Sequence, residues 1–358
     1  MEMDLEPLYL YILSLLPIKR LQDFEQWRRD AGSFEQLFFN PPPPLADKLR
    51  KVQSEHSVEK IYKSLTDTAV KVLPYYDERY PKLLKTIYDA PPVLFYRGTL
   101  GEPDEACIAI AGARKMSSYA DNIIPLITQP LINCGVTIVS GLAYGVDSAA
   151  HTESVKARAR TIAILGSGVD ESSIYPRGHL RLAHDILDNG GLIISQYPPG
   201  TPSLKHHFVA RNRIIAGMSL GVVVVEGKVK SGALITADFT ADFNRNLYAI
   251  PGPIYSSLSE GPHNLIKNGA TLISSGQEIL DDLNMHLPSG QQKFNHPKHK
   301  SFTKNELCVL KCMQDTSVTL DVIIRETKLP SQEIANAITT LELKGAITSL
   351  GAQGFIKI

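Results

Sequence analysis

Short apolar runs alternate with longer amphipathic stretches between about residues 106 and 283. The runs are rich in β-branched residues and lack the polar alternation of a half-exposed strand. Strands of this kind are buried on both faces, as in a mostly parallel α/β sheet covered by helices on each side. The predicted strands are 107–111, 136–139, 161–165, 192–194, 221–225, 247–250 and 271–273.

The segment before this core has a helical pattern. Leu21, Phe24 and Trp27 recur at helical spacing, and the prolines at 41–44 interrupt the pattern. We therefore expect a small helical N-terminal domain over residues 1–70, of the SAM or helix-hairpin-helix kind, followed by the core domain over 71–285.

The end of the chain has the order of a winged helix. Residues 286–300 carry three lysines and no acidic residue, which predicts a flexible linker. Thr303 and Glu306 have the spacing of a capping box, and two further helices and two short strands are expected after them. This pattern predicts a winged-helix domain over 301–358.

The predicted winged helix is electrically balanced, with six basic and six acidic residues over 301–358. Its predicted wing tip, 351–354, carries no cation. A domain that reads duplex DNA normally shows a basic footprint. Protein contact or packing against the core is therefore favoured over duplex reading. The exposed positions predicted for its third helix are Gln332, Glu333, Asn336, Thr339 and Thr340.

Composition limits the partners. Lys plus Arg and Asp plus Glu number 37 each among 358 residues, so a nucleic acid must be held by a local patch. The four cysteines show no metal-ligand spacing, the N-terminus is acidic, and no apolar run is long enough to cross a membrane. We expect a reduced, cytoplasmic protein with no metal, no cofactor and no membrane association.

Four turns that contain glycine follow predicted strands, where an open α/β sheet places its ligand loops. Glycine allows close approach of the backbone, and a following helix presents free N–H groups to a phosphate. Each turn alone can be an ordinary tight turn, but four on one rim are expected to hold several phosphates. The turns are 112–115 (GARK, with Ser117 or Ser118 as the next helix cap), 140–151 (SGLAYGVDSAAH), 166–168 (GSG) and 231–237 (SGALITA).

Residues 208–217, FVARNRIIAG, combine an aromatic ring with cations beside Lys205. A phosphate backbone favours exchangeable cations and an unpaired base favours a flat apolar face, so the mixture indicates single-stranded nucleic acid. Arg211 and Arg213 stand two apart, too close to share one helix face. The alternative is that one arginine supports a core carboxylate while the other is solvated.

Signatures of common nucleotide enzymes are missing from the sequence. No G-x-G-x-x-G follows the first core strand, and no GxxxxGK[ST] loop is present. Asp147 and His151 would share a helix face, but no serine or cysteine pairs with them, so a capping or packing role is favoured. Glu226 is expected to be structural and to pair with a basic residue of the cleft. We predict no catalytic residue.

In this order and at this spacing, the motifs resemble the DNA processing protein A family, DprA, also called Smf. The resemblance rests on GARK, SGLAYGVDSAAH, TIAILGSGVD with the following Tyr-Pro, SQYPPG, FVARNRIIAG, SGALITA, AIPG and NLIKNGA. It implies an extended Rossmann-like core that binds single-stranded DNA in a basic pocket and dimerises through the core. It also implies protection of incoming DNA and loading of the RecA recombinase in natural transformation.

The resemblance also implies roles for individual residues. Arg114, beside Lys115, would contact the phosphate backbone. Lys205, Arg211 and Arg213 would line the pocket, and Phe208 would stack on a base. Four phosphate contacts would give a log-log salt slope of about −2.8. Eight further residues would donate backbone or hydroxyl hydrogen bonds to phosphates, or would shape the loops for their approach. They are Gly112, Ser140, Gly141, Gly166, Gly168, Ser231, Gly232 and Thr236.

The chain departs from the family pattern at Tyr144, where an arginine is usual, and at Gln196, where a glutamate is usual. Loss of the arginine removes one contact, or Tyr144 replaces its charge with a stacking surface. Two alternatives stay open: a nucleotide hydrolase of the LOG kind, although its PGGxGTxxE signature is missing, and a DNA-binding regulator that acts through the winged helix.

Overall fold

The computed structural model describes residues 4–17, 20–101, 106–285, 302–313, 318–343, 346–349 and 354–357. The chain divides into two compact units, Met1–Pro288 and Ser289–Ile358. The predicted linker over 286–300 and residues 351–353 of the predicted wing tip lie outside the described residues.

A nine-stranded sheet forms the centre of the first unit. Its strands are β1 (Lys71–Pro74), β2 (Val93–Gly98), β3 (Cys107–Ala111), β4 (Thr137–Ser140), β5 (Thr161–Leu165), β6 (Leu192–Ser195), β7 (Gly221–Val224), β8 (Asn246–Ala249) and β9 (Thr271–Leu272). Their order in the sheet is β1-β2-β6-β5-β4-β3-β7-β8-β9. Neighbours from β6 to β9 pair in parallel, whereas β2 pairs antiparallel with β1 and with β6.

Helices surround this sheet, and the predicted mostly parallel α/β class is confirmed. Before the sheet come α1 (Glu6–Ser14), α2 (Leu21–Ala31), α3 (Phe34–Phe39), α4 (Pro43–Glu55) and α5 (Val58–Thr68). Between and after the strands come α6 (Lys82–Lys85), α7 (Ser118–Asn133), α8 (Val146–Lys156), α9 (Leu180–Asp188), α10 (Lys205–Met218), α11 (Gly232–Asp242), α12 (Glu260–Lys267) and α13 (Gly276–Asp282).

Burial on both faces explains the unbroken apolar runs of the sequence. In β3, Ile108 and Ile110 belong to one hydrophobic cluster, whereas Cys107, Ala109 and Ala111 belong to the cluster on the other face. Successive side chains of a strand point to opposite faces, so a strand covered on both sides needs an apolar residue at every position.

The N-terminal helices pack directly on the sheet. Helix α1 is buried from Pro7 to Leu13, and the Tyr11 ring lies 5.2 Å from the Phe95 ring of β2. These helices and one face of the sheet share a single hydrophobic cluster. The helical segment that we predicted over 1–70 is therefore continuous with the core in one compact unit.

The second unit has its own small core. It contains α14 (Lys304–Cys312), α15 (Leu320–Thr327), α16 (Ser331–Leu343) and the antiparallel pair β10 (Ile347–Ser349) and β11 (Phe355–Lys357). The predicted capping box is present, since Thr303 Oγ1 accepts from the Glu306 N–H and Glu306 Oε2 accepts from the Thr303 N–H. This order of elements is that of a winged helix, as predicted.

The strand order reverses beside β3. The chain runs from β3 to β4, β5 and β6 on one side and then crosses through α10 to β7 on the other side. In open α/β sheets, the crevice at the carboxyl ends of the strands beside such a reversal is the usual ligand site. In the described part of the chain, no helix combines the length and the apolar character needed to cross a membrane.

Candidate nucleic-acid interface

A cavity of about 680 Å³ opens at this crevice. Its walls come from the loops after β3 and β4, the first turns of α10 and the first turn of α11. The predicted site residues that line it are Gly112, Arg114, Ser140, Lys205, Phe208, Arg211, Ser231, Gly232 and Thr236.

Two exposed cations stand at the wall of the cavity. Arg114 lies in the loop after β3, and Lys205 is the first residue of α10. The Arg114 guanidinium carbon lies 5.2 Å from the centre of the Phe208 ring, a cation–π arrangement. Exposed cations of this kind can exchange their counterions for phosphates.

The Phe208 ring is the aromatic surface of the cavity. The Tyr175 ring packs against it at 5.7 Å, with an angle of 48° between the rings. Gly166 lies behind the ring, because a Cβ at Gly166 would come within 3.1 Å of Phe208 Cδ1. Gly166 therefore acts as support for the aromatic surface and does not line the cavity itself.

Arg211 is buried, and its hydrogen bonds hold the loops in place. Its Nη1 donates to the carbonyl oxygens of Gly141, at 2.5 Å, and Ile164, at 2.7 Å. Its Nε donates to Asn212 Oδ1 at 3.0 Å. A Cβ at Gly141 would lie 1.7 Å from Nη1, so a side chain at that position would displace the Arg211 guanidinium.

Asp147 provides the negative charge beside Arg211. Its Oδ2 accepts from the backbone N–H groups of Gly141 and Ala143. Burial raises the pKa of Asp147, and the Arg211 charge and these N–H groups oppose that rise. Burial lowers the pKa of Arg211, and Asp147 opposes that change. An arginine stays protonated near neutrality, so Arg211 brings a buried positive charge to the cavity wall, where Asp147 is a neighbouring carboxyl group.

Arg213 does not reach the cavity. A step of two residues along a helix rotates the side-chain direction by about 200° about the helix axis, so Arg213 points away from Arg211. Its Nε lies 3.4 Å from Asp89 Oδ2, its Nη1 donates to the Asp89 carbonyl, and its Nη2 donates to Gln196 Oε1 at 2.5 Å. The structure thus places Arg213 in a separate cavity of about 290 Å³ under α1 and α2, also lined by Tyr11 and Phe24.

Two further predicted residues also lie away from the cavity wall. Lys115 is exposed in the loop next to Arg114. Gly168 donates its N–H to the Thr201 carbonyl at 2.9 Å and packs closely on Asp170. The slope of −2.8 expected for four cations therefore does not apply to this geometry, in which Arg114 and Lys205 are the exposed pair.

The hydroxyl groups of the site differ in their hydrogen bonds. Ser140 Oγ donates to the Ile110 carbonyl at 2.6 Å, and Thr236 Oγ1 donates to the Gly232 carbonyl at 3.3 Å. Ser231 Oγ is buried at the cavity and finds no hydrogen-bond partner among the residues described. Because Ser231 is the N-cap of α11, its hydroxyl and the free N–H groups of that helix can serve an anion.

Tyr175 and Asn212 also line the cavity, although no role for either was predicted from the sequence. Asn212 Nδ2 donates to the Gly232 carbonyl at 3.1 Å, while its Oδ1 accepts from Arg211. It therefore connects α10 to the first turn of α11. In the sequence, the position of Asn212 between two arginines was the feature that could have indicated its role. For Tyr175, that feature was the Tyr-Pro pair after TIAILGSGVD.

The residues considered for catalysis have structural partners. His151 is fully buried, which lowers its pKa to about 3, and its Nδ1 donates to Thr161 Oγ1. Glu226 has structural contacts, and its partner among the described residues is Ser117 instead of a cation of the cleft. Its carboxylate accepts from the N–H of Ser117 and from the hydroxyl of the same residue, which caps α7.

Comparison with known proteins assigns the family. A family model described as DNA recombination-mediator protein A matches residues 71–284, and one described as DprA winged helix domain matches residues 297–353. Protein Smf of Escherichia coli (strain K12) is 35% identical over 291 residues, which are 80% of this chain and 77% of that protein. DNA processing protein DprA of Streptococcus pneumoniae is 44% identical over 204 residues, 57% of this chain and 71% of that protein.

Solved structures agree with this assignment. The X-ray structure of DprA from Streptococcus pneumoniae matches with a TM-score of 0.67 and 32% identity, over 79% of this chain and 99% of that chain. A structure of DNA processing protein A from Helicobacter pylori, described for its single-stranded DNA binding mode, matches with a TM-score of 0.54 and 27% identity, over 61% of this chain and 97% of that chain. The chain therefore belongs to the DNA recombination-mediator protein A family, DprA or Smf, and carries the winged-helix domain of that family.

Proposed function

We propose that this protein binds single-stranded DNA in the cavity at the strand reversal. In that role it protects incoming DNA and loads the RecA recombinase during natural transformation and recombination. The observation that carries the proposal is the Phe208 ring beside the exposed cations Arg114 and Lys205, at the ligand crevice of the sheet. Membership of the family and the single-stranded DNA structure of the Helicobacter pylori relative support it.

The chemistry of the cavity fits a strand held without sequence preference. A base stacked on Phe208 contributes roughly 1 to 3 kcal/mol, because every base has a π-face. Two phosphate contacts, from Arg114 and Lys205, give a log-log salt slope of about −1.4 on a single strand. The unpaired Ser231 hydroxyl and the N-terminus of α11 add uncharged donors for a phosphate.

We further propose a homodimer formed through the core. Strand β9 is an edge of the nine-stranded sheet, and Leu272 in it is 49% exposed. Unpaired edge strands with exposed apolar residues are ready surfaces for a second chain. Two cavities in one dimer would raise the affinity for a long strand through avidity alone.

The site supports binding and not catalysis. Asp147 and His151 are buried with structural partners, and Glu226 caps α7 through Ser117. The proposal therefore assigns no reaction and no cofactor to the protein, and it places the protein in the cytoplasm, where RecA acts on DNA.

The first test is fluorescence anisotropy of labelled oligo-dT and of its duplex across a salt series. We expect the wild type to prefer the single strand. Phe208→Ala should weaken binding about 5- to 100-fold at every salt concentration, whereas Lys205→Ala should reduce the salt slope by about 0.7. Phe39→Ala and Lys60→Ala are matched controls, since both residues are exposed in the N-terminal helices. Equal affinity for single strand and duplex, or no effect of either site variant, would reject the proposal.

The recombinase step needs its own measurement. RecA filament formation on single-stranded DNA should be faster with the wild type than without it, and Phe208→Ala should lose this stimulation. A wild type that binds the strand tightly but does not stimulate RecA would retain the binding proposal and remove the loading proposal.

A further inference from the structure

A shallow cleft continues the cavity on the side of the loop after β4. Arg114, Ala143, Tyr175 and Phe208 line both the cavity and the cleft. The additional wall of the cleft contains Tyr144. The cleft therefore extends the cavity toward Tyr144.

The Tyr144 ring is held in position and remains accessible. The ring packs edge-on against His179 at 4.6 Å, with an angle of 68° between the rings. His179 is itself fixed, because its Nδ1 donates to the Leu142 carbonyl at 2.8 Å. Gly178 leaves room for the tyrosine, since a Cβ there would come within 3.0 Å of Tyr144 Oη. Tyr144 is nevertheless 50% exposed.

This arrangement creates a second aromatic platform beside the first. Phe208 is in contact with Tyr175, which is 45% exposed, and Tyr144 lines the same cleft. Arg114 also lines the cleft, and a cation there can hold the phosphate that joins two stacked nucleotides. An aromatic ring already fixed by its neighbours loses little conformational freedom when a base stacks on it.

We propose that Tyr144 forms a second base-stacking subsite for single-stranded DNA, outside the cavity that contains Phe208. The inference rests on the proposed function and deepens it. The subsite takes any base, because stacking does not read the hydrogen-bonding edges. Tyr144 adds no cation to the site, so it contributes affinity without a change in the number of phosphates neutralised.

The test scans a single abasic residue along the shortest oligo-dT that reaches full affinity for the wild type, so that the strand cannot slide. Anisotropy is measured for the wild type, Tyr144→Ala, Tyr144→Phe and Tyr88→Ala. Tyr88 is the matched control, since it is 57% exposed and has a similar edge-on contact, with Phe243.

We expect the wild type to show two abasic-sensitive positions. Tyr144→Ala should weaken binding of the intact strand about 5- to 100-fold, with an unchanged salt slope, and should abolish the sensitivity of one position. Tyr144→Phe and Tyr88→Ala should behave as the wild type. If Tyr144→Ala keeps both sensitive positions or full affinity, the subsite is rejected while single-strand binding stands. A wild type that does not bind oligo-dT rejects both proposals.

Discussion

Arginines of one helix have unlike roles because their surroundings differ. The Arg211 guanidinium is buried and donates to two carbonyl oxygens in the field of Asp147, whereas Arg213 pairs with Asp89 on another face of α10. Arg114, in a loop, is exposed. The charge that a strand can use therefore comes from Arg114 and Lys205, and the buried arginine keeps the loops at their positions.

Removal of the Arg211 charge should destabilise the fold, because this charge is buried. Arg211→Leu leaves Asp147 buried without its compensating charge, so we expect a loss of about 3 to 5 kcal/mol in the free energy of unfolding. Urea denaturation followed by the fluorescence of Trp27, the single tryptophan, measures it. Arg114→Leu is the control, with a change within about 0.5 kcal/mol. Equal stability of the two variants would show that Arg211 is not a structural ion.

At the scale of elements, α1 connects the helical segment to the sheet. Its residues from Pro7 to Leu13 are all buried, and Leu10 has no exposed surface. A helix buried on every side is part of a core and not a surface attachment. The helical segment and the sheet should therefore lose their structure together.

A variant in α1 tests this cooperativity. Leu10→Ala should cost about 2 to 5 kcal/mol, because it leaves a cavity in the shared cluster. Urea unfolding should shift to lower concentration in one transition, seen alike by Trp27 fluorescence and by far-ultraviolet circular dichroism. Two separate transitions, with only the fluorescence one displaced, would instead show an autonomous helical domain.

The sequence predicted the buried elements better than the polar contacts. Core strands such as β5 are predictable from the sequence, because burial on both faces requires apolar residues throughout. Strands β1 and β2 were not predicted, since prolines adjoin both and neither belongs to the alternating strand and helix pattern of residues 106–283. The partner of Glu226 was also not predictable, because Ser117 is distant in sequence and meets it only after the sheet forms.

The sequence also did not predict which arginine of α10 faces the cavity. Spacing alone shows that Arg211 and Arg213 face different ways, but it does not show which one faces the cavity. That choice depends on the crossing of α10 from β6 to β7, which sets the rotation of the helix over the sheet. Lys205 and Phe208 follow from the same rotation, and both line the cavity.

At the scale of the whole molecule, the cavity belongs entirely to the first compact unit. Its lining residues lie between Ala111 and Thr236, while the winged helix has a separate core around Val309 and Ile334. Single-strand binding should therefore not require the winged helix.

A chain that ends at residue 285 tests this division. We expect its affinity for oligo-dT to stay within about threefold of that of the full chain, because all residues of the cavity are retained. Anisotropy at one salt concentration measures it, with Phe208→Ala in the shortened chain as the negative control. A loss of tenfold or more would assign part of the strand site to the second unit.

The guanidinium of Arg114 over the Phe208 ring has a consequence for hydration. In the absence of DNA, a flat, weakly hydrated cation lies beside the half-buried ring and shields part of it from bulk water. When a base arrives, one flat group replaces another, and little water has to be stripped from a bare apolar surface. The protein's own side chain thus reduces the dehydration that stacking on Phe208 requires.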